Sequence, residues 1–334
     1  MKPIQVIHFQ RRQRSTGNFS IESYFEAIRT LQPQDIFIIK KEVSFFSNGF
    51  FKRLMITLEA FFNQKDVNHI TGDIHFANLF FKKKRSILTI HDCGALKDKQ
   101  GFKLKIIKWF WFTLPAKKAN YITVNSNTTK QDLLQYISFP EEKIKVIYIF
   151  VPKIHQSKPK AFNSTKPVIL QLGTAQNKNI IRTAQALKGI SCKYVIVGKL
   201  AESTKNILNE NNIDFENIDQ ALTDEKIAQL YQDCDIVTLV STLEGFGMPI
   251  VEANKTGRVV ITSNTSSMPE IANNAACLVN PFDVEDIRKG LLKIIEDDEY
   301  RAQLIANGFE NAKRFDQQEI ANQYFDLYRK IASA

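Results

Sequence analysis

The stretch Ile236-Val-Thr-Leu-Val-Ser241-Thr-Leu-Glu244-Gly-Phe-Gly-Met-Pro-Ile-Val-Glu252-Ala253 decides the fold. Ile236 to Val240 is a short β-branched run, as a strand buried on both faces requires. The loop after it carries Gly245 and Gly247, and a helix is predicted to begin near Met248 and Pro249, where proline is at home in the first turn. Strand, glycine loop and helix in that order form half of a βαβ unit, and the carboxyl end of such a strand is where α/β sheets bind ligands.

Outward from this stretch the pattern repeats. On its amino-terminal side lie strands at Val168 to Leu172 and Lys193 to Val197, and on its carboxyl side strands at Val259 to Thr262 and Ala276 to Val279. An earlier series, Ile4 to Phe9, Ile36 to Ile39, Val67 to Ile70, Ser86 to Ile90, Tyr121 to Val124 and Lys145 to Ile149, alternates with amphipathic stretches in the same way. Alternation of this kind predicts α/β architecture with parallel sheets. Pro152, Pro159 and Pro167 interrupt it. The expected organisation is a first domain over 1–151, a linker over 152–166, a second domain over 167–315 and a final helix over 316–334 that crosses back to the first domain. At 334 residues the chain has the length of two domains of roughly 150 residues each. Asp283 is the expected N-cap of a helix from Val284 to Ile295.

Composition narrows the function. A hydrophobic fraction of 44% and a charged fraction of 24% are those of a globular protein. Cys93, Cys192, Cys234 and Cys277 are widely spaced, with no C-x-x-C pair, which predicts buried thiols rather than disulfides or a metal site. Met1 to Phe9 lacks the features of a secretory leader, and no run offers the 18 or so uncharged apolar residues of a spanning helix. The chain is therefore expected to work in the cytoplasm.

The net charge of +10 is uneven: residues 1–150 hold 24 Lys+Arg against 12 Asp+Glu and 24 of the 36 aromatic rings. Basic residues interleaved with large rings suit an anionic membrane surface or a nucleic acid, and charge alone does not choose between them. Phe50, Phe51, Leu54, Met55, Leu58, Phe61 and Phe62 recur at helical spacing beside Lys52 and Arg53. Phe102 to Phe112 sets Trp109, Phe110 and Trp111 among Lys103, Lys105 and Lys108, and Lys82 to Arg85 is a third basic cluster. Tryptophan with lysine favours the headgroup region, although a core-facing helix would have the same spacing.

Several residues have the chemistry of a phosphate and sugar site. Gly245 and Gly247 let the main chain approach a ligand, and the helix beginning at Met248 presents free N–H groups to an anion. Glu244 and Glu252 are two helical turns apart, so one sits at the loop and the other deeper, where a carboxylate can accept from vicinal hydroxyls. Gly173-Thr174-Ala-Gln-Asn-Lys178-Asn179 follows another strand and offers a lysine. In the first half, the turn with Gly17 and Asn18, the pair His91-Asp92, and Asp73 with His75 all follow strands and are candidates for acceptor or cleft contacts. Neither G-x-G-x-x-G nor G-x-x-x-x-G-K-[ST] occurs.

Glu244 to Ala253 resembles the E-x7-E signature, in an E-G-F-G-x-P-x-x-E-A context, of the retaining GT-B glycosyltransferases of family four. The resemblance continues through Gly257, Ser263-Asn264, Pro269-Glu270 and Pro281-Phe-Asp283, and Gly173 to Asn179 is similar to the family's G-T-x-x-x-R-K-N loop. It implies two Rossmann-like domains facing across a cleft. It also implies a nucleotide-diphosphate sugar as donor substrate, with no cofactor or metal, and retention of anomeric configuration. Glu244 would lie near the donor sugar, Glu252 on the ribose, and Phe246, Gly247 and Met248 along the sugar and phosphate. Lys178 would meet the diphosphate and His91 would assist at the sugar. The family's arginine is absent; Asn177 stands there, in a loop one residue shorter. The implied acceptor is a glycan or a lipid-linked glycan of a bacterial surface polysaccharide or lipopolysaccharide, reached from the inner face of the cell membrane, with no nucleic acid as partner. A sugar-nucleotide epimerase or phosphorylase could use the same scaffold. A basic nucleic-acid-binding protein would leave the Glu244 to Glu252 run unexplained.

Overall fold

The computed structural model describes residues 2–12, 20–97 and 100–333. It divides into two compact units, Met1–Phe150 with Gln317–Ala334, and Val151–Asp316. The turn expected to carry Gly17 and Asn18 lies outside the described residues.

The first unit runs β1 (Ile4–Gln10), α1 (Ser20–Thr30), β2 (Ile36–Glu42), α2 (Phe50–Phe62), β3 (Val67–Ile70), β4 (Ser86–Ile90), α3 (Gly94–Lys97), α4 (Gly101–Ile107), α5 (Leu114–Lys118), β5 (Tyr121–Val124), α6 (Asn127–Tyr136) and β6 (Ile144–Val146). A π-helical turn, Lys108–Thr113, joins α4 to α5. Among the described residues its strands form one six-stranded sheet in the order β2-β1-β3-β4-β5-β6, parallel throughout. β3, β4 and β5 are buried along their whole length, which explains the apolar character of β4 and β5; in β3 the buried Asn68 and His69 are hydrogen-bonded.

The second unit runs β7 (Val168–Leu172), α7 (Ile180–Leu187), β8 (Lys193–Val197), α8 (Glu202–Glu210), β9 (Phe215–Ile218), α9 (Asp224–Asp233), β10 (Ile236–Leu239), α10 (Met248–Thr256), β11 (Val259–Ser263), α11 (Met268–Ala272), β12 (Cys277–Val279), α12 (Val284–Glu296) and α13 (Asp298–Lys313). Its parallel sheet has the order β12-β11-β10-β7-β8-β9. Read from the other edge this is the doubly wound 3-2-1-4-5-6 arrangement, whose strand order reverses between β7 and β10. Asp283 caps α12, accepting from Glu285 N and Asp286 N. A Cβ on Gly290 would lie 2.6 Å from Val279 Cγ1, so only glycine lets α12 rest this close to β12.

Two strands depart from expectation. β9 was not expected: its Phe-Glu-Asn-Ile is an edge strand with a half-polar sequence, held partly by Asn217 Nδ2 donating to the main chain of Ile196 and Gly198. β6 is shorter than the expected Lys145 to Ile149. Ile147 N still donates to Val124 O, but Tyr148 O then accepts from Tyr24 and Phe150 packs against the same ring.

The final helix, α14 (Gln317–Ala332), belongs to the first unit, as a crossing-back helix should. Its docking is polar as well as apolar. Arg29, which can only donate, lies 3.3 Å from His8 Nδ1, so His8 donates from Nε2 to Tyr328 Oη at 2.8 Å. Tyr328 then donates to His69 Nδ1 at 2.8 Å, and His69 Nε2 donates to Thr89 at 2.6 Å. Burial lowers both imidazoles, His69 to about 3, so this relay is neutral. The segment 152–166 has neither helix nor strand, yet it is fastened to the second unit. Lys160 pairs with Asp235, Arg258 donates to Lys158 O at 2.9 Å, and Arg301 stacks on Phe162 at 3.8 Å.

Candidate active site

In the second unit the reversal between β7 and β10 brings together two loops that are far apart in sequence. Gly173 leaves β7 with φ +85, and a Cβ there would meet Lys178 Cε at 3.1 Å, so the bare main chain makes room for the lysine to fold back. Gln176–Lys178 forms one 3-10 turn, and Asn179 follows in the left-handed region at φ 58, its side chain donating to Pro281 O at 2.7 Å. Thr174 donates to Lys199 O at 2.8 Å and so anchors the loop to the end of β8.

The second loop is stitched to the first. Asn177 Nδ2 donates to Leu243 O at 2.8 Å, and Thr242 N donates to Asn177 O at 2.8 Å. The asparagine standing where the family signature has arginine therefore has a structural task here. Across this seam Lys178 Nζ donates to Glu244 Oε1 at 2.6 Å, and Ser241 Oγ donates to the same oxygen at 2.7 Å. Ser266, after β11, accepts from Glu244 N and donates to Glu244 O, and Ser267 donates to the carbonyls of Glu244 and Phe246. Glu244 is thus held by main chain and side chain alike.

Gly247, with φ 104, forms the N-cap of α10, and Met248 and Pro249 open its first turn. A Cβ on Gly247 would press on Ile250 and Leu239 at 3.2 and 3.4 Å, which fixes glycine at this corner. Phe246 buries its ring edge-on against Phe315, with centroids 5.7 Å apart. Any part it takes in lining the site is through its main chain.

Glu252 lies one turn into α10. Tyr231 donates to its Oε2 at 2.5 Å, and His155 Nε2 stands 3.8 Å from its Oε1. Burial pushes the Glu252 carboxyl up to about 7, against the opposing pull of the Tyr231 hydrogen bond and of Lys178. His155 is lowered to about 4 by burial and by Lys255, so it is neutral. Lys178 therefore serves both carboxylates, one by contact and one through the field. Tyr231 and His155, and the neighbouring pair Ser266 and Ser267, had no signal in the sequence, because α9, the segment 152–166 and the loop after β11 each bring them in from elsewhere; Ser241 stands in the Glu244 loop itself and was not singled out.

The first unit has its own reversal of strand order, between β1 and β3. Arg11, just past β1, bridges it, donating from Nε to Glu22 and from Nη1 to Asp73, each at 2.7 Å. Asp73, His91 and Asp92 surround His75 closely enough to bias its charge, and burial, the largest influence, keeps it below its ordinary value. His75 donates from Nδ1 to Trp111 O at 3.0 Å, and its buried Nε2 has no partner among the described residues. His91 donates from Nε2 to Thr71 O at 3.0 Å, and Asp92 accepts from Gly94 N at 2.8 Å, capping α3. Asp73, His75, His91 and Asp92 are thus gathered at one sheet edge. Arg11 and Glu22 were not singled out from sequence, although an arginine directly after a strand is a signal that could have found the first.

The only Asp-x-Asp of the chain, Asp233 with Asp235, stands at the opposite, amino-terminal end of β10, where Asp235 is taken by Lys160, Asn163 N and Val168 N. Among the described residues no group of three or more His, Cys, Asp or Glu side chains is placed to hold a metal ion.

Comparison with known proteins bears on this geometry. The family model described as glycosyl transferases group 1 matches residues 152–311, and that of glycosyltransferase family 4 matches residues 20–152. The O-antigen chain mannosyltransferase B of Escherichia coli is 34% identical over 108 residues, which are 32% of this chain and 28% of that protein. The N,N'-diacetylbacillosaminyl-diphospho-undecaprenol alpha-1,3-N-acetylgalactosaminyltransferase of Campylobacter jejuni is 25% identical over 269 residues, 72% of this chain and 69% of that one. Among solved structures, Anabaena HepE in complex with UDP and glucose superposes with a TM-score of 0.74 at 16% identity, covering 98% of this chain and 100% of its own. The two family models meet at residue 152 and together span residues 20–311, and the two sheets are those of the GT-B fold: the chain belongs to the group 1 glycosyltransferases.

Proposed function

We propose that this protein is a retaining, metal-independent hexosyltransferase that moves a sugar from a nucleotide-diphosphate donor to a glycan or lipid-linked acceptor in the assembly of a bacterial surface polysaccharide or lipopolysaccharide. The observation that carries the reading is the Lys178–Glu244 pair, 2.6 Å long, at the strand-order reversal beside the N-terminus of α10. A diphosphate arriving there meets free N–H groups, the positive helix end and one ammonium. It competes with Glu244 for Lys178 and leaves that carboxylate, still held by Ser241, to the sugar. As the bond from the anomeric carbon to the phosphate oxygen lengthens, charge grows on the leaving diphosphate, where Lys178 and the helix end stabilise it. Glu252 accepts from the ribose hydroxyls. The two relatives named above, one an O-antigen mannosyltransferase and one acting on a diphospho-undecaprenol acceptor, support the choice of pathway and acceptor.

The surface of the first unit supports work at the inner face of the cell membrane. α2 buries Ile56, Thr57 and Ala60 and turns Phe50, Phe51 and Phe62 outward, each at least 70% exposed. Arg53 stacks on Trp111 at 4.6 Å and joins α2 to the π-helical turn, whose Trp109 is exposed. At its other end, Phe61 meets Phe80, and Gln64 accepts from Lys82 N at the head of the basic cluster. The apolar and basic stretches thus make one continuous face, as a protein seated among anionic headgroups requires. No helix among the described residues is long and apolar enough to cross a membrane.

Incubation of the purified protein with a panel of nucleotide-sugars and a lipid-diphosphate acceptor, in excess chelator, tests the reading. Transfer with the donor's anomeric configuration is expected. An inverted product would overturn retention, and activity that returns only with added magnesium or manganese would overturn metal independence.

A further inference from the structure

Tyr231 is a buried phenol that neither the family signature nor the proposed chemistry uses. It sits on α9, twenty-one residues before Glu252, and donates to Glu252 Oε2 at 2.5 Å. Its ring meets that of His155 edge-on, with centroids 5.1 Å apart. Its position leaves Glu252 asymmetric. Oε2 is occupied, while Oε1 makes no hydrogen bond among the described residues, His155 Nε2 at 3.8 Å being too distant for one. The carboxylate therefore presents a single oxygen, the other being held by a phenol that is fully buried.

We propose that Tyr231 is a positioning residue of the donor site, holding the Glu252 carboxylate ionised and turned so that Oε1 is the acceptor for a nucleoside ribose. The inference rests on the reading of Glu252 as the ribose contact. A neutral carboxylic acid would still accept weakly, but it would present a proton to one of two hydroxyls that must both donate. What sets the charge is a balance: desolvation opposes ionisation and carries the group up to about 7, while the Tyr231 hydrogen bond opposes that rise. Of the other groups facing Glu252, Lys178 favours the ionised form and Asp224 disfavours it. His155 is neutral, and Lys255, one turn further along α10, acts on His155. Removing the phenol leaves burial less opposed, so the pH dependence of donor binding moves to higher pH.

The test compares wild type, Tyr231→Phe and Glu252→Gln. Phenylalanine keeps the ring against His155 and removes only the donor. Glutamate-selective 13C labelling follows the Glu252 carboxyl through a pH titration, with Glu252→Gln assigning the signal. Calorimetry with UDP and with GDP reads affinity at pH 7 and pH 9. A midpoint near 7 in wild type and about one unit higher in Tyr231→Phe is expected, with about a five-fold loss of nucleotide affinity at pH 7 that nearly closes at pH 9. Equal midpoints in the two proteins, or a loss of affinity that is the same at both pH values, would overturn the inference. Nucleotide binding unchanged in Glu252→Gln would instead overturn the ribose reading, and the titration arm would still stand on its own.

Discussion

The two units share one architecture and divide the work unequally. Each is a parallel six-stranded sheet with a reversal of strand order, and each gathers polar residues at that reversal. In the second unit the residues come from two tight loops and form a closed ion pair beside a helix N-terminus. In the first they come from β1, α1, β3 and β4, with Arg11 clamped between two carboxylates and His75 buried with an unpartnered nitrogen. Their surfaces differ as sharply. Among the described residues thirteen of the seventeen exposed large apolar side chains lie in the first unit, a concentration of the kind that marks interaction surfaces. The site of the second unit joins two compact loops that the sheet brings together; the polar cluster and the apolar face of the first unit are gathered from more elements.

That contrast also governs what could be read in advance. The strand–loop–helix at Ile236 to Ala253 was legible because Gly245, Gly247 and Pro249 each answer a local backbone demand. The strands Val67–Ile70, Ser86–Ile90, Tyr121–Val124, Val168–Leu172 and Lys193–Val197 have the bounds expected from their apolar runs. The half-polar edge strand β9 was invisible for the opposite reason. Helical spacing identified α2 but could not say which face the core would take. Burial fell on Ile56, Thr57 and Ala60, leaving the larger phenylalanines outside. Tyr231 and His155 escaped because no periodicity links a residue on α9, another in 152–166 and a third on α10.

The comparison can be broken at either unit. The largest effect is expected in the second. Glu244→Ala should lower turnover by about a hundred- to a thousand-fold, as does removal of other groups acting on developing charge, while donor affinity changes little. Equal losses in kcat from a matching change at Asp73 would show that the units are not divided in this way.

Next in size is the docking face. Co-sedimentation with anionic vesicles at low salt should fall about ten-fold or more in a Phe50→Ser, Phe51→Ser, Phe62→Ser variant, since each ring that loses a buried apolar contact costs about 1–2 kcal/mol. Wild-type binding that is equal for neutral and anionic vesicles would remove the electrostatic part of the account, and preferential binding to nucleic acid would replace the membrane as partner.

The smallest effect is the response of single buried groups to pH. His69, whose folded midpoint of about 3 lies below the ordinary 6.5, binds fewer protons folded than unfolded in that window. The first unit should therefore lose stability as pH falls below 6.5, by about 1.4 kcal/mol per pH unit for each such histidine. Glu252, whose midpoint is raised from 4.5 to about 7, binds more protons folded, so its contribution is present below 4.5 and is lost as pH rises through 7. Glu252→Gln should then raise stability above pH 7 by up to about 3 kcal/mol and leave it unchanged near pH 4. In the second unit His155, lowered to about 4, gives a slope of the same sign as His69, so the Glu252 contribution is read as the difference in hydrogen exchange between wild type and Glu252→Gln; no difference above pH 7 would contradict the assignment.

The central claim is that the second unit holds a nucleotide-diphosphate sugar through Lys178 at the reversal of β7 and β10. Calorimetric titration of wild type and Lys178→Ala with a panel of UDP-, GDP- and other nucleotide-sugars tests it most directly. The account predicts that one nucleotide class binds the wild type and that its affinity falls about ten- to a hundred-fold in Lys178→Ala, the loss of one charge-assisted hydrogen bond to a phosphate. Undiminished binding in Lys178→Ala, or no binding of any nucleotide-sugar to the wild type, would contradict it.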